Sequence, residues 1–98
     1  GAPFVAWFSV PLASFRFTQG TPASFRSSAH GTRSFCPHCG TALTFQSSRF
    51  PEEIDVTTCS LEDPEQVPPK DHIYTSTRLH WVQLADGLPG FAGSRADT

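Results

Sequence analysis

The chain has 98 residues, 38% hydrophobic and 16% charged, with 9 Pro, 7 Gly, 9 Phe, 3 Cys and no Met. Its length points to one domain, and a globular chain of this size buries only roughly 60–65% of the surface its unfolded form exposes, so a metal or cross-link would be needed for ample stability. A formal net charge of −2 supplies no broad cationic field for a phosphate backbone, which argues against nucleic acid as a partner.

The longest apolar stretch, Phe4 to Leu12, is broken by Ser9 and Pro11 and falls far short of the roughly 20 residues a membrane-spanning helix requires. No basic segment followed by an apolar one opens the chain, and three Cys are too few for a disulfide scaffold, so a reducing cytoplasm is the expected compartment. The lack of any Met leads us to expect a segment ahead of Gly1.

Gly and Pro punctuate the sequence every eight to twelve residues, the spacing of short strands in a mainly β domain with little helix. Phe4 to Val10 is aromatic and β-branched, closed by Pro11, and reads as a buried, central strand. Ser14 to Thr18 and Ser24 to Ser28 alternate polar and aromatic residues around a Gly20-Thr21-Pro22 turn, and read as hairpin partners. Thr32 to Phe35 and Thr41 to Gln46 read as strands flanking Cys36-Pro37-His38-Cys39-Gly40. Ile54 to Cys59 alternates again, with Ile54, Val56 and Thr58 on one face. Ser60 to Lys70 is an acidic, Pro-rich surface connection with at most one helical turn, capped by Ser60. Arg78 to Leu84 reads as a last strand or a packed segment carrying Trp81, and Gly93 to Thr98 as a mobile polar tail.

Cys36-x-x-Cys39 can supply two thiolates to one tetrahedral metal, or a nucleophilic thiol with its resolving partner. The redox chemistry needs a helix whose N-terminus lowers the thiol pKa, whereas Gly40 and a Thr-rich strand follow here. Gly40 suits a zinc knuckle, because a Gly after the second Cys reaches positive φ and leaves amides free to face the thiolates. The zinc knuckle is therefore the first reading, with a redox pair or two merely packed thiols as alternatives. Structural zinc takes four ligands, and the rest of the set is not evident. Cys59 stands alone and suits a small buried residue, while His30, His38, His72 and His80 lack mutual ligand spacing.

Gly1-Ala2-Pro3-Phe4, Arg33-Ser34-Phe35-Cys36-Pro37-His38-Cys39-Gly40-Thr41-Ala42-Leu43, Leu61-Glu62-Asp63-Pro64, His72-Ile73, Trp81 and Leu88-Pro89-Gly90-Phe91 together resemble the glutathione-dependent formaldehyde-activating enzyme family, which also includes centromere protein V. The resemblance implies residues 1–98 as one β-tent domain of short antiparallel strands, lacking its N-terminal portion. It also implies two zinc sites. One is structural and joins an upstream Cys-x-Cys to Cys36 and Cys39. The other is catalytic, a Cys-x-Cys-x-x-Cys cluster that in the family lies just before the segment matching Gly1 to Phe4, so the chain itself carries no catalytic residue.

The activity implied is that of a zinc-dependent carbon–sulfur lyase. It would act on a small-molecule thiol and aldehyde, with glutathione as co-substrate and formaldehyde or a similar aldehyde as electrophile. Two other classes compete: a non-enzymatic zinc module that binds a protein partner, and a thiol oxidoreductase built on Cys36 and Cys39. Phe4, Trp7 and Phe8 read as core before they read as the entrance to a site. Arg33 reads as a solvent-facing strand residue with its stem packed, and as a second option could bind a glutathione carboxylate or offset the dithiolate charge. Asp63-Pro64 reads as a turn initiator.

Overall fold

A computed structural model describes residues 1–95 of the chain. These fall into two compact units: Ala6–Val67, and Gly1–Val5 together with the chain from Pro68 onward.

The first unit holds a five-stranded antiparallel sheet, formed by β1 (Trp7–Pro11), β2 (Ala23–Arg26), β3 (Gly31–Phe35), β4 (Ala42–Ser47) and β5 (Glu53–Thr57) in the order β1-β5-β4-β3-β2. The mainly β expectation holds, and helix is confined to single 3₁₀ turns. The register sets Phe8 beside Val56, Val56 beside Thr44, Thr44 beside Ser34 and Ser34 beside Ser24. That row shares one face, because directly paired residues point to the same side of a sheet. Ile54 and Val56 on it are 2% and 5% exposed. Ser34 and Thr44, also buried, satisfy each other through a hydroxyl–hydroxyl bond of 2.5 Å. Ile54, Val56 and Thr58 are all buried, as their alternation predicts.

Three local expectations give way. The aromatic run expected as a central strand forms β1 at the sheet edge, pairing with β5 alone. Aromatic density reports burial of a face rather than the number of neighbouring strands, and Pro11, which cannot donate to a ladder, belongs to an edge. Ser14 to Thr18 does not form a strand. Leu12–Ser14 is a 3₁₀ turn and the Phe15 and Phe17 rings then pack edge to face at 5.0 Å. β2 instead pairs with β3, the next strand along. The serine-rich turn closes that shorter hairpin: Ser27 donates its N–H to the Gly31 carbonyl, and Gly31 donates its own to Ser28 Oγ. The third concerns Cys59. β5 ends at Thr57, and Cys59 sits exposed in the 3₁₀ turn Thr58–Ser60 rather than buried in a strand.

The acidic connection does hold one turn, Pro64–Gln66, but its cap is Asp63, which accepts from the Glu65 N–H at 3.2 Å. Ser60 donates to the Thr57 carbonyl instead. Asp63-Pro64 is thus the turn initiator its sequence suggests.

The second unit has no strand among its described residues. A parallel bridge joins His72 to Gly90, with His72 donating to the Pro89 carbonyl and Phe91 donating to that of His72. Val82 is its buried apolar residue. Arg78 to Leu84 forms no strand, and Trp81 is 71% exposed, so Val82 rather than Trp81 does the packing. Of the tail expected over residues 93–98, the last three lie outside the described residues, while Gly93 accepts from the Tyr74 N–H and Arg95 pairs with Asp71. Among the described residues no helix is long and apolar enough to cross a membrane.

Candidate functional site

The β3–β4 connection is built around the two clustered thiols. Cys36 donates its N–H to the Thr41 carbonyl at 2.9 Å and Gly40 donates to the Cys36 carbonyl at 2.8 Å, which ties the turn at both ends. Gly40 adopts φ +80°, a conformation L side chains rarely take, so the Gly following the second Cys meets the requirement its position implied. Cys36 is half-buried and Cys39 exposed; both are free thiols.

Cys39 Sγ lies 3.1 Å from Thr41 Oγ1. Hydrogen bonding from the Thr41 hydroxyl, then from the Thr41 backbone and from the neighbouring Cys36 thiol, holds the Cys39 pKa below its ordinary value. The donors around Cys39 favour thiolate, the form that ligates metal. No helix opens after Cys39, since β4 starts at Ala42, and the helix dipole that activates a redox thiol is absent from this turn.

The donor set fits half of a tetrahedral thiolate site. No group of three or more His, Cys, Asp or Glu side chains is placed to hold a metal among the described residues. Cys59 is exposed on its own turn, His30 is hydrogen-bonded to Ser48 and His72 to Asp86. His38 and His80 are exposed.

Beside the dithiol turn lies a concavity of about 480 Å³. Trp7, Phe25, Arg33, Phe35, Gly40 and Ala42 line it, together with Ser24, Ser34 and Thr44. β1, β2, β3 and β4 all contribute, and Gly40 belongs to the dithiol turn itself. Of the aromatic run, Trp7 lines this concavity, Phe8 lies half-buried in the core row, and Phe4 is exposed. Phe25 and Ser24 of β2 were not singled out in the sequence. Their signal, an alternating Ser-Phe-Arg run, resembled that of any hairpin strand.

Arg33 sits in the middle of β3 with Phe25 directly beside it on β2 and Phe45 on β4. Its guanidinium carbon lies 4.8 Å from the centroid of the Phe45 ring. Stem packing was expected; the contact found is cation–π stacking by the head group.

A second, smaller concavity near the β2–β3 turn is lined by Arg26 and His30, whose polar groups are engaged with the Ala29 carbonyl and Ser48.

A family model described as glutathione-dependent formaldehyde-activating enzyme matches residues 1–77, which include the dithiol turn and every residue lining the larger concavity. No curated protein matches the sequence.

Proposed function

The chain belongs to the glutathione-dependent formaldehyde-activating enzyme family, and on that premise we propose that the protein is a zinc-dependent carbon–sulfur lyase acting on thiol adducts of formaldehyde or a similar aldehyde. The family match over 77 residues carries the reading. The match reaches into both compact units, which favours treating residues 1–98 as parts of one β-tent domain.

Cys36 and Cys39 are two ligands of the structural zinc. Their adjacency, the donors aimed at Cys39 and the left-handed Gly40 support that assignment. The remaining structural ligands and the catalytic cluster are the Cys-x-Cys and Cys-x-Cys-x-x-Cys segments that the family resemblance puts ahead of Gly1. Bound zinc supplies folding free energy at the structural site, and at a three-thiolate site an open position that lowers the pKa of a substrate thiol.

The reaction joins the thiol sulfur to the carbonyl carbon as the C=O π bond opens, and the thiol proton ends on the carbonyl oxygen as a hydroxymethyl thioether forms. The lyase direction reverses each step. In this scheme the dithiol turn fixes the end of the sheet, and the apolar walls of the adjoining concavity keep water from the thiol. Three unpaired cysteines fit work in a reducing cytoplasm.

The test is zinc per chain by elemental analysis, alongside formation of the hydroxymethyl adduct followed by NMR. Two zinc ions with adduct formation above the uncatalysed rate is the expected result. One zinc ion with no rate enhancement would replace the lyase with a zinc module that binds a protein partner. A reversible Cys36–Cys39 disulfide without bound zinc would favour the oxidoreductase.

A further inference from the structure

Arg33 is exposed on β3, yet its guanidinium has no hydrogen-bond or ion-pair partner among the described residues. The carboxylate nearest in the register, Asp55, lies beyond Phe45 and accepts from Ser9 instead. Asp71 and Asp86 are paired with Arg95 and His72. Arg33 is thus a cation with all of its side-chain donors unspent, flanked in register by Phe25 and Phe45 and stacked on one of them. Stacking against an aromatic face holds the planar fork while leaving its edge free to meet a carboxylate through two parallel bonds.

Arg33 is one of the residues that line the concavity beside the dithiol turn, whose other walls are mainly Trp7, Phe25 and Phe35. At about 480 Å³ the space falls within the roughly 300–1,000 Å³ range of small-molecule sites. An apolar recess with one cation unmatched by an anion among the described residues selects a ligand that brings its own negative charge.

We propose that Arg33 anchors a carboxylate of the thiol substrate in this concavity, so that the site takes an anionic, peptide-like thiol rather than a neutral one. This rests on the reading above that glutathione is the co-substrate. Arg33 acts as a specificity residue: it holds the end of the thiol remote from the reacting sulfur and takes no part in bond making.

Isothermal titration calorimetry on the zinc-loaded protein tests this, with glutathione and glutathione diethyl ester as probes. The unaltered protein should bind glutathione at least about tenfold more tightly than the diester, the scale of a charge-assisted pair. Arg33→Gln should lose that preference, binding both probes as weakly as the unaltered protein binds the diester, and Arg33→Lys should retain part of it. The Arg33 Nε–H resonance, identified by its absence from Arg33→Lys, should shift on adding glutathione and not on adding the diester.

Equal affinity of the unaltered protein for the two probes would overturn the proposal without requiring any variant to fold. A folded Arg33→Gln protein that binds glutathione normally would do the same, and either result leaves the lyase reading standing. Failure of the unaltered protein to bind glutathione at all would remove both.

Discussion

The sheet unit and the strandless unit are held by different physics. In residues 6–67 every strand is paired in the ladder, with one register shift between Ser34 and Phe35, and the buried face carries Ile54, Val56 and the Ser34–Thr44 hydroxyl pair. From Pro68 onward the described chain has one isolated bridge, the 3₁₀ turn Thr75–Thr77, one buried apolar side chain and two side-chain pairs, His72–Asp86 and Asp71–Arg95. Ladders and packed faces respond to volume and to unsatisfied polar groups; a segment closed by hydrogen-bonded carboxylates responds to protonation. The same contrast runs through the cysteines, two set in a hydrogen-bonded turn between strands and one exposed on a turn past the last strand.

The largest expected effect divides the cysteines. On the zinc reading proposed above, Cys36→Ser or Cys39→Ser should lose the ion and destabilise the protein strongly, because a structural zinc contributes on the order of 10 kcal/mol of folding free energy. Cys59→Ser should keep both the metal and the melting temperature, since its side chain is exposed and outside any ligand cluster. Zinc content and thermal unfolding on the three variants decide it. Equal loss of metal at Cys59 and Cys39 would erase the distinction between the two settings.

A middle-sized effect sharpens the account of the sheet. Thr44→Val leaves the buried Ser34 hydroxyl without its partner, and Ser34→Ala does the same to Thr44. Each should cost about 1–3 kcal/mol, whereas the double variant should cost less than the two single costs combined, because two apolar groups facing each other leave nothing unsatisfied. Additive costs in denaturant unfolding would mean the hydroxyls are not coupled.

The Cys36–Cys39 turn and its two strands were legible because their signals are local: two thiols at fixed spacing, a Gly where positive φ is required, and alternation on either side. β5 was legible for the same reason, although its end was not, since Thr58 and Cys59 continue the alternation after the chain has left the ladder. The edge position of β1 and the pairing of β2 with β3 depend on which strands meet, and single-strand composition carries no such information. Ser14 to Thr18 had the same alternation as β2 and lost the pairing to β3, which needed only a four-residue serine-rich turn. Of the site, Cys36, Cys39 and Arg33 stood out as residue types; the concavity did not, because it draws Trp7 and Phe25 from strands at opposite edges of the sheet. Trp81 misled because a lone Trp implies burial, while the packing it suggested falls to its neighbour Val82.

The smallest expected effect belongs to the strandless unit and to acid. Asp86 is held below its ordinary pKa first by the hydrogen bond from His72 and then by the Leu88 N–H, and Asp71 first by the hydrogen bond from Arg95. A carboxylate whose folded pKa is depressed binds fewer protons in the folded state than in the unfolded one. Its contribution is therefore complete above the unfolded value of about 4 and is lost as pH falls through the lower folded value. Protection of the Tyr74, Phe91 and His72 amides from hydrogen exchange should decline across that interval before the sheet amides lose theirs, because these three donate within the segment the two pairs close. Asp86→Asn cannot change its charge with pH, so it should begin with lower protection near neutrality and show a shallower acid decline. Sheet and strandless amides losing protection together in the unaltered protein would make the two units one cooperative structure, and the contrast between ladder and charged clasp would then describe geometry without separate stability.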